Sequence, residues 1–121
     1  MKRFPKLQTL DTREIDGKLS DAIKEHYRSH GGRPIRILEA GCGSRWLLDL
    51  TGVESTLTGV DIYERDLEIR KNKIKDLDEA IVGDLRNVEL DADAFDVIYN
   101  SFVLEHVDGA RLVLDNFRRW A

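Results

Sequence analysis

The chain has 121 residues, of which 41% are apolar and 35% charged, with a formal net charge of −4. That length fits one small domain, and the apolar share supports a packed core and argues against disorder. The mild acidic balance gives no electrostatic reason to expect a nucleic-acid or membrane partner. The lone cysteine, Cys42, excludes an internal disulfide and fits a reducing cytoplasm. No stretch approaches the ~20 apolar residues of a membrane span, and the opening MKRFPKLQTL has no signal-peptide core.

Residues 1–11 read as an irregular lead, after which Asp11 or Thr12 caps a helix. Ile15, Leu19, Ala22, Ile23, His26 and Tyr27 follow at helical spacing and predict one apolar face. Gly31 and Gly32 end that helix, and Pro34 prevents its continuation. PIRILEA, 34–40, reads as a first strand buried on both sides, followed by the tight turn Gly41-Cys42-Gly43-Ser44. RWLLDL, 45–50, predicts a short helix, and STLTGV, 55–60, a second strand with Asp61 at its carboxyl end. A helix is expected over 66–75, with Leu67, Ile69 and Ile74 partly buried. Residues 80–82 form a short third strand ahead of Gly83-Asp84, and FDVIY, 95–99, a fourth ahead of Asn100-Ser101. Residues 103–107 read as a loop or short turn, and 109–120 as a final helix with Leu112, Val113, Leu114, Phe117 and Trp120 at core spacing.

Strands that alternate with helices predict an α/β fold, a Rossmann-like three-layer sandwich around a parallel sheet. Right-handed crossovers leave few arrangements, and the expected strand order is 3-2-1-4. Ligands bind such sheets where the order reverses, at the carboxyl ends of strands one and four. The chemistry-bearing residues fall there. Gly41 permits a sharp exit from the strand, and Gly43 removes a side chain where a ligand approaches the backbone. Asp61, 18 residues beyond Gly43, is placed to accept hydrogen bonds from ribose hydroxyls; its alternative is a helix cap. Asp84 is placed to accept from an adenine amino group, with an ordinary turn aspartate as the alternative. Asn100 and Ser101 sit opposite the glycine turn. A dinucleotide fingerprint would put Gly or Ala where Trp46 stands, which disfavours a nicotinamide cofactor.

ILEAGCGS, GVDI, VGDL and FDVIYNSFVLEHV resemble the successive motifs of class I S-adenosylmethionine-dependent methyltransferases, over roughly residues 35–120. The resemblance implies that Glu39 lies near the amino group of the methionine moiety and that Gly41, Cys42 and Gly43 pass close to the cofactor. It further implies that Asp61 and Ile62 meet the ribose, that Asp84 and Leu85 meet the adenine, and that Asn100 and Ser101 frame the methionine part. The implied activity is methyl transfer from S-adenosylmethionine to a small-molecule or lipid-like acceptor, with S-adenosylhomocysteine as product and no metal. Glu105 and His106, in a segment resembling the family's LEH signature, are the candidate bases. Two departures stand out. Arg45 replaces a third glycine, and the chain stops at Ala121 before the family's Pro-Gly-Gly turn and further strands. The expectation is therefore a truncated seven-stranded fold that either catalyses methyl transfer or serves as a non-catalytic cofactor-binding half-domain. Strand four would be left as an open edge, predicting a homodimer or domain swap through residues 95–121.

Overall fold

A computed structural model of the chain describes residues 12–100 and 108–121. The described elements are α1 (Thr12–Ser29), β1 (Ile35–Ala40), β2 (Ser55–Asp61), α2 (Glu64–Glu68), a π-helical segment (Ile69–Ile74), β3 (Glu79–Val82), β4 (Val97–Tyr99) and α3 (Ala110–Trp120). The four strands are parallel and lie in the order β3-β2-β1-β4, as expected for a Rossmann-like sheet.

Strand alternation sends side chains to opposite faces, and each face has its own core. Ile35 and Ile37 of β1, Leu57 of β2 and Tyr99 of β4 pack with Ile23 of α1, Leu67 of α2 and Leu77. Leu38 and Ala40 of β1 and Val60 of β2 pack on the other side with Val113, Phe117 and Trp120 of α3. This is why β1 reads as a nearly continuous apolar run, with only Arg36 exposed. The Arg36 guanidinium leans across to Asp96, binding both carboxylate oxygens, at 3.1 and 3.2 Å. Asp96 also takes the Arg36 amide on its carboxylate at 2.8 Å and donates its own amide to the Arg36 carbonyl at 2.8 Å, just ahead of β4, which starts at Val97 rather than the expected 95.

Three local expectations are corrected. Residues 45–50 are not helical. Leu48 is buried, Trp46 and Leu50 are partly buried, and all three pack into the core that α1 covers. That alternation of period two suits an extended chain, and a helix would turn one of them away. Secondly, the region expected as one helix over 66–75 is a short α-helix continued by a π-helical segment that ends at Lys75 with φ 64°. Ile74 is left 48% exposed rather than partly buried. Thirdly, the buried side of α1 is rotated from the expected stripe. Ser20 and Ile23 are buried and Tyr27 partly so, whereas Ile15 and Leu19 are exposed. The Asp49 amide donates to Ser20 Oγ at 3.1 Å, and Tyr99 Oη lies 3.5 Å from Asp16 Oδ1. Ser20 Oγ itself donates to the Asp16 carbonyl at 2.7 Å within α1, so its buried hydroxyl is satisfied. In α3, likewise, Leu112 and Leu114 are exposed while Val113, Phe117 and Trp120 face the sheet. Among the described residues no helix is long and apolar enough to cross a membrane.

Trp120 is fully buried in the α3 core, and its carbonyl receives the Phe95 amide at 3.1 Å. Trp120→Ala is expected to destabilise the fold by about 3–5 kcal/mol, measured as a lower midpoint in urea denaturation.

Candidate functional site

The site is built outward from the sheet register. Ala40 pairs with Val60, Glu39 with both Gly59 and Tyr99, and Asp61 with Val82. All four carboxyl ends therefore emerge along one edge. Glu39 aligns with Gly59, and Asp61 follows two residues later, so the two carboxylates share one face of the sheet.

The glycine turn is tied to β2 by backbone and side chain. The amides of Gly41 and Cys42 both donate to the Val60 carbonyl, at 2.7 and 3.1 Å. The Gly43 amide donates to Asp61 Oδ2 at 2.9 Å. Gly41 and Gly43 have φ of 70° and 58°, in the left-handed region where a Cβ is strained. A Cβ built on Gly43 would meet nothing within 4 Å among the described residues, so the space beside this backbone is open. Cys42 faces inward, with Sγ 3.1 Å from where a Cβ of Gly59 would stand, and burial pushes its thiol up to about 12. Cys42 therefore offers the site only its backbone.

Asp61 is 8% exposed and joins three segments. Its Oδ2 holds the glycine turn, its Oδ1 accepts the Tyr63 amide at 2.8 Å, and its carbonyl accepts the Gly83 amide at 3.0 Å. It does not cap α2, whose N-cap is Tyr63 without a side-chain bond. Ile62, next along, is 58% exposed at the strand tip.

Glu39 is 4% exposed. Arg70 Nη2 donates to its Oε2 at 2.7 Å. Burial pushes the Glu39 carboxyl up to about 7, and the Arg70 guanidinium pulls the other way. Arg70 itself has no exposed surface; it also donates to Asp76 Oδ1 at 2.7 Å and to the Cys42 carbonyl at 2.9 Å. Sequence reasoning passed over Arg70, although a signal exists: at Leu67, Arg70 and Ile74 the arginine takes an apolar-stripe position.

Asp84 lies beyond β3, clamped by its own neighbour. Arg86 Nη2 reaches Oδ2 at 2.6 Å, and Arg86 Nε lies 3.1 Å from both oxygens. The Arg86 side chain holds the Asp84 carboxyl well below the usual carboxylate range, at about 2. Leu85 follows Asp84 beyond β3. It is 6% exposed beneath α3, and Asn116 Nδ2 donates to its carbonyl at 2.9 Å. Asn100 follows β4 directly, partly buried, one residue past the Tyr99–Glu39 pairing. Ser101, Glu105 and His106 lie outside the described residues.

Residues 38–121 match the model of a methyltransferase domain family. The chain belongs to that family. It is 31% identical over 115 residues to a ubiquinone biosynthesis O-methyltransferase of Maricaulis maris, a match covering 80% of this chain and 44% of that protein. The chain thus spans less than half the length of this curated relative. Among solved structures, the CurJ carbon methyltransferase superposes with a TM-score of 0.69 at 17% identity, covering 87% of this chain and 31% of the other. Magnesium protoporphyrin IX methyltransferase from Synechocystis, solved with bound S-adenosylmethionine, superposes with a TM-score of 0.59 at 16% identity, covering 96% of this chain and 59% of the other. These likenesses agree on the fold.

Gly59 lets the turn lie close to β2. A Cβ there would stand 2.9 Å from Leu77 Cδ1 and 3.1 Å from Cys42 Sγ. Gly59→Ala is expected to lower stability by about 1–3 kcal/mol in urea denaturation, since both neighbours are buried.

Proposed function

We propose that this chain binds S-adenosylmethionine along the carboxyl edge of its sheet and supplies the donor-binding part of a cytoplasmic methyltransferase. The acceptor is a small molecule or lipid-like. The observation that carries this reading is the open space beside Gly43, a left-handed glycine whose amide is held by the carboxylate of the adjacent strand tip. A ligand can lie against that backbone, where any side chain would intrude.

The residues around it fit the cofactor's parts. Each Asp61 oxygen accepts one backbone amide, which leaves lone pairs for two ribose hydroxyls. Ile62 is exposed beside them. Asp84 is proposed to face the adenine amino group, which would share carboxylate oxygens that Arg86 already contacts. Glu39 offers its second oxygen to an ammonium group, while the Gly41–Gly43 backbone, Asn100 and Ser101 frame the methionine chain. Bound there, the sulfonium supplies a methyl group activated for direct displacement, so the protein's task is to hold donor and acceptor in line. Glu105 and His106 are the proposed proton acceptors for an acceptor that must be deprotonated. A second reading is a donor-binding unit without turnover of its own.

Calorimetry with S-adenosylmethionine tests the shared claim, and a methyl-transfer assay over an acceptor panel separates the two readings. Asp61→Ala is expected to weaken cofactor binding by about 1–3 kcal/mol, and Gly43→Val to block it. Unchanged affinity in folded variants would overturn these assignments. We further propose that β4, the outermost described strand on its side of the sheet, is covered by a second copy through residues 95–121, as a homodimer or domain swap. A dimer mass by light scattering at micromolar concentration is the expected result, and a monomer mass overturns it.

A further inference from the structure

Arg70 is a fully buried cation. The π-helical segment brings it beneath the glycine turn, where its guanidinium touches three groups. Nη2 holds Glu39 Oε2, Nη1 holds the Cys42 carbonyl, and Nε holds Asp76 Oδ1. The first two belong to the tip of β1 and to the turn itself. Glu39 Oε1 accepts no hydrogen bond from the described residues and is not sealed from solvent, so half of this carboxylate stays available at the edge.

We propose that Arg70 is a positioning residue for the cofactor's amino-acid end. It fixes Glu39 Oε2 and the Cys42 carbonyl together and so orients Glu39 with Oε1 turned toward an α-ammonium group. This rests on the S-adenosylmethionine reading above and adds to it the group that makes Glu39 fit for its role. A carboxylate this deeply buried is driven toward its neutral form, which cannot attract an ammonium ion. The charges facing Glu39 are Arg70 and Asp76, from the π-helical segment and the residues after it, and Asp61 from β2. Asp76 and Asp61 both favour protonation of Glu39, and Arg70 is the cation that opposes them. Two charge-assisted bonds leave the guanidinium for carboxylates, and the third holds the turn in register with the same acid.

The experiment compares two probes by calorimetry on the full chain. S-adenosylhomocysteine carries the ammonium group, and methylthioadenosine keeps the nucleoside but lacks it. In Arg70→Met, binding of S-adenosylhomocysteine at neutral pH is expected to weaken at least about tenfold, with methylthioadenosine changed by less than about twofold. The sign of the pH effect follows from the carboxylate. Affinity for the ammonium probe rises with pH until Glu39 is ionised, so loss of the neighbouring cation moves that rise upward by about one pH unit. Arg70→Lys, which keeps a charge but loses the fork, restores the rise toward its original position. If Arg70→Met does not fold, Arg70→Lys carries the test, with a loss of about three- to tenfold expected for the ammonium probe alone. Equal losses for both probes with an unmoved pH dependence would make Arg70 merely structural and overturn the proposal. A wild-type chain that binds neither probe would instead overturn the cofactor reading, and this proposal with it.

Discussion

The candidate site depends on the pairing of β1 with β2 at their carboxyl ends. Two amides of the glycine turn converge on the Val60 carbonyl, and the third reaches the Asp61 carboxylate. A left-handed turn at a strand tip has no regular partner for its backbone groups, and such groups left unpaired are costly. Asp61 supplies what the ladder no longer can. The same side chain orders the chain leaving β2 through the Tyr63 amide, and its carbonyl anchors Gly83 after β3. One residue thus fixes three strand exits relative to one another. A ligand laid along this edge meets a surface already held in shape, which lowers the cost of ordering it on binding.

Arg70 imposes the second constraint. Removing a guanidinium and a carboxylate from water is expensive, and their mutual attraction offsets this only when the remaining donors are also satisfied. Here each of the three guanidinium nitrogens has a partner, Asp76 and the Cys42 carbonyl besides Glu39. An apolar pair of similar volume would serve packing as well, so a buried ion pair at the tip of β1 points to function more than to stability. The π-helical segment that delivers Arg70 fits this view, because such widened turns gather at functional sites.

Much of the fold was legible in the sequence. Apolar runs at 35–40 and 55–60, separated by glycine turns, define β1 and β2, and the alternation with helices yields the sheet order. The candidate edge was legible too, since Gly41, Gly43 and Asp84 come soon after strands and Asp61 ends one. Less was visible where tertiary contact overrides local pattern. RWLLDL contains strong helix formers, yet its alternate residues are drawn into the core that α1 covers. In α1, Ser20 is buried with its hydroxyl bonded to the Asp16 carbonyl, while Ile15 and Leu19 stay exposed.

The sequence by itself determined what one element or one turn can decide: strand positions, left-handed glycines and acids at strand tips. Those follow from periodicity and backbone sterics, which act over a few residues. Only the tertiary structure decided which side chains share a charge. Glu39 and Arg70 are 31 residues apart, Gly43 and Asp61 are 18 apart, and no local pattern encodes such distances. They meet because parallel pairing brings the strand ends together and burial then obliges every polar group there to find a partner.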